Sequence, residues 1–82
     1  MFSIMVIKVS TRNKIAPTVQ EILTKHGCII KTRLGIHEAT NDTCSRAGLI
    51  ILDLLSDNKE DINTLKEDLN SLEGVCAKVV EI

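Results

Sequence analysis

Two stretches of the chain are apolar at almost every position, which is typical of strands buried on both faces of a sheet. Residues 49–55 are apolar except for Asp53, and residues 2–9 carry apolar side chains on both sides of an extended chain. We therefore predict two central strands. In the first, one face holds Phe2, Ile4 and Val6, and the other holds Met5, Ile7 and Val9.

Two further segments repeat apolar residues at helical spacing and predict amphipathic helices. The first covers about residues 13–26, has Pro17 in an early turn and ends before Gly27. The second begins after a cap at Asp57 or Asn58 and ends by Gly74. The apolar stripes are Ile15, Val19, Ile22 and Leu23 in the first helix, and Ile62, Leu65, Leu69 and Leu72 in the second.

The remaining segments alternate apolar and polar residues, which favours strands at the edges of the sheet. Residues 28–37 predict such a strand, with one apolar face and one wet face that includes Lys31 and Arg33. Residues 75–82 predict the last strand, and the polar segment 38–47 predicts a long hairpin loop.

The predicted order is β-α-β-β-α-β in one domain over residues 1–82, an α+β fold of the ferredoxin-like type. Its antiparallel sheet has the spatial order 4-1-3-2, with both helices on one face. This topology places strands 1 and 3 in the centre, and those are the two strands that are apolar on both faces. Two helices leave the other face of the sheet uncovered, so we expect a homo-oligomer, a dimer or tetramer, or else a neighbouring domain.

Charge and composition limit the classes of partner that the chain is expected to bind. Ten Lys and Arg residues against eleven Asp and Glu give a net charge of -1, and Phe2 is the only aromatic residue. Direct nucleic-acid binding is therefore not expected. The apolar N-terminus is too short for a membrane span and has no basic region before it. Three cysteines without paired spacing favour a reduced, cytoplasmic protein, in which Cys28 and Cys76 are expected to be buried.

The stretches NKIAPTVQEILTKHGCIIKTRLGI (residues 13–36) and DNKEDINTLKEDLNSLEGVCAKVV (residues 57–80) resemble the small ACT-like regulators of iron-only hydrogenase systems. The features that carry this resemblance are RLGI, the acidic start of the second helix at KED, and LEGV. They are packing, capping and turn features rather than a catalytic motif. The resemblance implies a stand-alone, non-enzymatic regulatory module with an ACT-like fold that oligomerises and acts with a protein partner.

ACT-like proteins typically hold a small effector near the loop between strand 1 and helix 1, at a subunit interface. Here that loop is STRNK (residues 10–14), which lacks the glycine common in that family. The hairpin after strand 2 is expected at the same end of the domain. The resemblance therefore implies an effector site formed by Thr11, Arg12, Asn13 and Arg46, whose charges suit an anion beside a helix N-terminus.

A metal-binding regulator is the alternative, because His37 and Cys44 flank the hairpin and both residue types bind transition metals. The C-terminal domain of nickel-responsive regulators is similar in topology and has histidines and a cysteine in comparable places, with His26 as the third. The competing interpretation is an exposed histidine and a loop cysteine. A small enzyme with a pocket between subunits is a third hypothesis, although no catalytic set of residues is recognisable.

Two other polar residues receive structural roles. His26 closes the first helix, where an imidazole is expected to interact with the final carbonyl groups. Asp53 is the one carboxylate in a central strand, and we expect an ion pair with Lys31 or Arg33 of the neighbouring strand, or a position at a subunit contact.

Overall fold

A computed structural model of the chain describes the backbone of residues 1–10, 12–39 and 44–82, and the side chains of residues 1–10, 15–36 and 48–82. Four strands and two α-helices follow in the predicted order. The elements are β1 (Ser3–Val9), α1 (Arg12–Lys25), a 3₁₀ helix (Gly27–Ile29), β2 (Ile30–Ala39), β3 (Cys44–Leu54), α2 (Lys59–Asn70) and β4 (Val75–Glu81).

The strands form one antiparallel sheet in the order β2-β3-β1-β4. This is the predicted ferredoxin-like order, and the two strands apolar on both faces are the central ones. β1 is held by β3 through pairs such as Val6 with Ile51, and by β4 through pairs such as Ile7 with Ala77. The prediction of fold class and topology is therefore confirmed.

Both helices pack on one face of the sheet and bury an aliphatic core between the two layers. The predicted stripes supply the helix side of this core, since Val19 and Leu23 of α1 are buried with Leu65 and Leu69 of α2. Removing these apolar side chains from water is the main stabilising contribution to the fold. The sheet side consists of Met5, Ile7, Val9, Leu52, Leu54, Val75 and Ala77.

The hairpin between β2 and β3 is shorter than the sequence predicts. β2 runs to Ala39 and β3 begins at Cys44, and these two residues are paired in the ladder. Backbone hydrogen bonding does not require apolar side chains. The pairing between β2 and β3 therefore extends into the polar segment for which a loop was predicted. The prediction of a loop over all of residues 38–47 was wrong, because residues 38, 39 and 44–47 belong to strands.

β2 also begins later than predicted, and its pairing determines which of its two faces meets the helices. Residues 27–29 form the 3₁₀ helix, so Cys28 precedes the strand. Pairing with β3 sets the register, which turns Leu34 and Ile36 away from the helices and Arg33 and Gly35 towards them. The apolar side of this edge strand is therefore the exposed side.

We call the sheet surface opposite the helices the open face. Its residues alternate along each strand with those of the core. They are Ile4, Val6 and Lys8 of β1, Thr32, Leu34 and Ile36 of β2, Leu49, Ile51 and Asp53 of β3, and Cys76, Lys78 and Val80 of β4.

Side chains from the two helices make contacts that the sequence does not predict. His26 Nε2 lies 3.0 Å from Asp68 Oδ2 and so joins the end of α1 to α2, instead of capping its own helix. Asn70 Nδ2 donates a hydrogen bond to the carbonyl oxygen of Ala77. The N–H of Ala77 in turn donates to Asn70 Oδ1 at 2.7 Å. The amide of Asn70 thus occupies the outer edge of β4. Neither described helix is long and apolar enough to cross a membrane.

Candidate functional site

The backbone brings the predicted functional segments to one end of the sheet. Val9, the last residue of β1, pairs with Gly48 of β3, and Gly48 also pairs with His37 near the end of β2. The connection to α1 and the β2–β3 hairpin therefore leave the sheet at the same end, as predicted. His26 lies just before the 3₁₀ helix at the far end of β2, so one subunit does not join it to His37.

The side chains of the predicted site residues lie outside the part of the chain that the structure describes. This holds for the effector set Thr11, Arg12, Asn13 and Arg46, and for the metal set His37 and Cys44. Their roles stay predictions. In the described ranges 1–10, 15–36 and 48–82, no group of three His, Cys, Asp or Glu side chains is arranged to hold a metal ion.

A cleft of about 610 Å³ opens beside this end of the sheet, on the open face between β1 and β4. We call it the lysine groove. Lys8 and Lys78 are diagonal neighbours there, because Val6 pairs with Lys78 and Lys8 pairs with Cys76. The lining consists mainly of Val6, Lys8, Ser10, Gly74, Cys76 and Lys78.

Within a single chain, the charges of both lysines of the groove are available for a ligand. Lys8 and Lys78 are exposed, and neither has a carboxylate within salt-bridge distance among the described side chains. Two neighbouring ammonium groups attract an anion to the cleft between them. The pattern of residues in the sequence does not predict this site. The sequence shows only that β1 and β4 each carry one lysine on the open face. Whether the two lysines are adjacent depends on the register between the strands.

The floor of the groove is fixed by a turn before β4. Gly74 adopts a φ of 82°, in the left-handed region that favours glycine. Its carbonyl accepts a hydrogen bond of 2.7 Å from the N–H of Ser10. This bond ties the exit of β1 to the entry of β4, so the backbone on both sides of the groove is held in place.

A second, apolar cavity of about 230 Å³ lies between α1 and the sheet at the same end. It exists because small residues face each other across the layer: Ala16 on α1, and Gly35 and Gly48 on the strands. A Cβ added at Gly35 would meet no atom within 4 Å. The described residues that line this cavity carry no charged group, and they suit an apolar moiety.

Both described cysteines differ from the prediction of buried thiols. Cys28 lies in the 3₁₀ helix and Cys76 on the open face, and both are exposed. Cys28 is not part of the strand that was expected to bury it. Cys76 alternates with the core residues Val75 and Ala77, and therefore points to the uncovered side of the sheet.

Asp53 makes neither of the ion pairs that the sequence predicts within the chain. Arg33 lies on the helix side and donates to Gln20 of α1, and the ammonium of Lys31 lies 5.9 Å from the centre of the Phe2 ring. Asp53 Oδ1 is buried and has no hydrogen-bond partner in the described part of the chain. An unpaired buried carboxylate oxygen is unfavourable, and it marks the open face as incomplete in a single chain.

Comparison with known proteins identifies the relatives of this fold. No protein-family model matches the chain, and no curated protein matches its sequence. Among solved structures, the ACT domain from the GTP pyrophosphokinase of Chlorobium tepidum superposes with a TM-score of 0.72 at 16% identity, over 98% of this chain and 97% of that one. The PII-like protein CPII from Thiomonas intermedia K12, bound to ADP, AMP and bicarbonate, gives 0.66 at 14% identity, over 99% and 89%.

A further structure is similar in sequence as well as in fold. Uncharacterized protein TM1266 from Thermotoga maritima superposes with a TM-score of 0.79 at 30% identity, and the match covers 96% of this chain and 92% of that one. The ACT and PII-like neighbours share the βαββαβ architecture at lower identity. The chain therefore belongs to the same family as protein TM1266 from Thermotoga maritima, on an ACT-like scaffold.

Proposed function

We propose that the chain is a non-catalytic regulatory module of the cytoplasm that binds a small anionic effector in the lysine groove and acts through self-association. The observation that carries the proposal is the pair of available lysines, Lys8 and Lys78, on a cleft of about 610 Å³. A cleft of this size accommodates a nucleotide or another small molecule. The whole of residues 1–82 serves as one domain in this proposal.

The position of the groove supports an effector that carries phosphate or carboxylate groups. Ser10 lines the groove and immediately precedes the segment of Thr11, Arg12 and Asn13, where the family resemblance implies an effector. Additional cations from Arg12 and Arg46 would strengthen the attraction for an anion. The PII-like neighbour was solved with ADP, AMP and bicarbonate, all of which are anions, and these compounds are the first to test.

The proposal extends to the pathway through the sequence resemblance alone. The similarity to ACT-like regulators of iron-only hydrogenase systems makes such a system the regulated process, reached through a protein partner. Deletion of the gene should change hydrogenase activity in cells, and restoration of the gene should reverse the change. Unaltered hydrogenase activity in the deletion strain would remove this assignment without affecting the effector site.

Isothermal titration calorimetry tests the effector site directly. We expect ADP, AMP or bicarbonate to bind the purified chain, and Lys78→Gln to weaken that binding about tenfold, because one charge-assisted contact is lost. Arg12→Gln tests the predicted loop in the same way. Lys66→Gln on α2 removes an equal charge away from the groove and should leave the affinity unchanged.

Two results would contradict the proposal. One is the absence of binding by all three anions. The other is equal affinity in the Lys78→Gln and Lys66→Gln variants, because the lysine groove would then have no part in the binding.

A further inference from the structure

The open face is more apolar than a solvated sheet surface normally is. Leu34, Ile36 and Val80 on this surface are exposed by 53%, 44% and 47%. Val6 and Ile51 form a half-buried pair at the centre of the same surface. An apolar surface of this extent, continuous across four strands, is characteristic of an interface.

The outer edge of β4 is less available than the face. Both backbone groups of Ala77 that point outwards are bonded to the side-chain amide of Asn70. A strand that paired with the outer edge of β4 would have to break both of these bonds at Ala77. Association through the open face requires no such loss.

Two charges on the open face, those of Asp53 and Lys8, have positions that complement each other across a two-fold axis. Asp53 and Lys8 lie on the two central strands, on opposite sides of the Val6–Ile51 pair. The register sets this spacing, since Ile4 pairs with Asp53 two residues before Val6, and Lys8 pairs with Leu49 two residues after it. Negative and positive charges are therefore equidistant from the centre of the apolar surface.

We propose that the open face binds a second copy of the chain, related by a two-fold axis that crosses the strands at the Val6–Ile51 pair. The inference rests on the proposed function only for self-association, and it names the interface. The rotation places the Ile4–Asp53 pair of one copy over the Lys8–Leu49 pair of the other. Asp53 then lies beside Lys8 of the second copy, and this contact occurs twice.

The positions of Asp53 and Lys8 distinguish this axis from the other two-fold axis in the plane of the sheet, although Lys78 then faces its own copy. An axis parallel to the strands would set Asp53 of one copy over Ile4 of the other, next to the second Asp53. Two carboxylates at that distance repel each other. The axis across the strands instead gives the buried Asp53 Oδ1 a cationic partner, carried on a long side chain able to span packed sheets about 10 Å apart.

Sedimentation equilibrium on single charge reversals tests the interface. We expect the wild-type chain to form a dimer, and Asp53→Lys and Lys8→Asp each to weaken it at least tenfold. Glu67→Lys on the exposed side of α2 makes the same change in charge as Asp53→Lys and should leave dimerisation unchanged. Circular dichroism verifies that each variant is folded.

Mixing the two single variants gives the decisive result. An equimolar mixture of the Asp53→Lys and Lys8→Asp chains should form a heterodimer, because each reversed charge then faces an opposite charge on the other chain. A monomeric wild type would overturn the inference. So would a dimer that is insensitive to both reversals, which would place the contact at a strand edge.

These measurements need no effector. A charge-dependent dimer that binds none of ADP, AMP and bicarbonate would contradict the lysine groove alone. Effector binding by a monomer would contradict the interface and self-association, but not the effector site in the lysine groove.

Discussion

His26 directly follows the last residue of α1, and its imidazole contacts the second helix. The Nε2 atom lies 3.0 Å from Asp68 Oδ2, 42 residues away, and the His26 side chain is only 12% exposed. Local sequence indicates that a residue closes a helix, but it does not indicate which distant side chain the fold brings to it. The predicted capping role was wrong for this reason, and Asp53 illustrates the same limit.

His26→Ala should lower the free energy of unfolding by about 1 kcal/mol, because it removes a largely buried side chain and its hydrogen bond to Asp68. Urea denaturation followed by far-ultraviolet circular dichroism measures this, since the chain has no Trp or Tyr to report by fluorescence. All samples should have the same protein concentration, because dimerisation contributes to the apparent stability.

The surface pair of Lys59 with Glu81 provides the control. It has the same separation of 3.0 Å but both side chains are substantially exposed. Lys59→Ala should change stability by less than about 0.5 kcal/mol, as is usual for exposed ion pairs. Equal losses in the two variants would contradict the structural role of His26.

At the scale of elements, most of the architecture could be predicted from the sequence. The stripes of α1 and α2 identified the core face of each helix, and the continuous apolar runs identified the central strands. The face of β2 that packs against the helices could not be predicted. Alternation of apolar and polar residues shows that a strand has two unlike faces, but it does not show which of them meets the helices. Pairing with β3 decides this, and it sends Leu34 to the open face.

Two glycines, one in β2 and one in the turn before β4, should respond to alanine in opposite directions. Gly35→Ala should raise the free energy of unfolding by about 0.5 kcal/mol, because the added methyl enters open space and the unfolded chain loses freedom. Gly74→Ala should lower it by about 1 kcal/mol, because φ is 82° there. Urea denaturation measures both. A destabilising Gly35→Ala would show that the cavity beneath α1 is filled.

At the scale of the whole molecule, the uncovered sheet could be predicted from the topology, whereas the lysine groove could not. Two helices can cover only one face of four strands, and this follows from the element order alone. The adjacency of Lys8 and Lys78 depends on pairing between β1 and β4, which are far apart in sequence. The remaining candidate side chains lie outside the described part of the structure.

An anion in the groove should strengthen the proposed dimer. Val6 pairs with Lys78, so the two-fold axis also passes near Lys78, and the two copies of this lysine face each other across it. An anion between them would reduce their repulsion, and binding and dimerisation would then favour each other. We expect inorganic phosphate or ADP to raise the dimer association constant at least fivefold in sedimentation experiments.

The Lys78→Gln variant separates this linkage from a general effect of salt. It should dimerise at least as well as the wild type without anions and gain nothing from phosphate. A matched increase in ionic strength with sodium chloride controls for screening. An equal response of both chains to phosphate would contradict the linkage.

The position of Asp53 and Lys8 on either side of the Val6–Ile51 pair also governs which chains can mix. A chain with both charges exchanged would still match itself, but against the parent chain it would oppose like with like at both contacts. After a gene duplication, two substitutions would therefore suffice to insulate the products from each other. Because Lys8 also lines the lysine groove, the exchange would alter effector binding as well, and two regulators with different effector responses would not form hybrids in one cell.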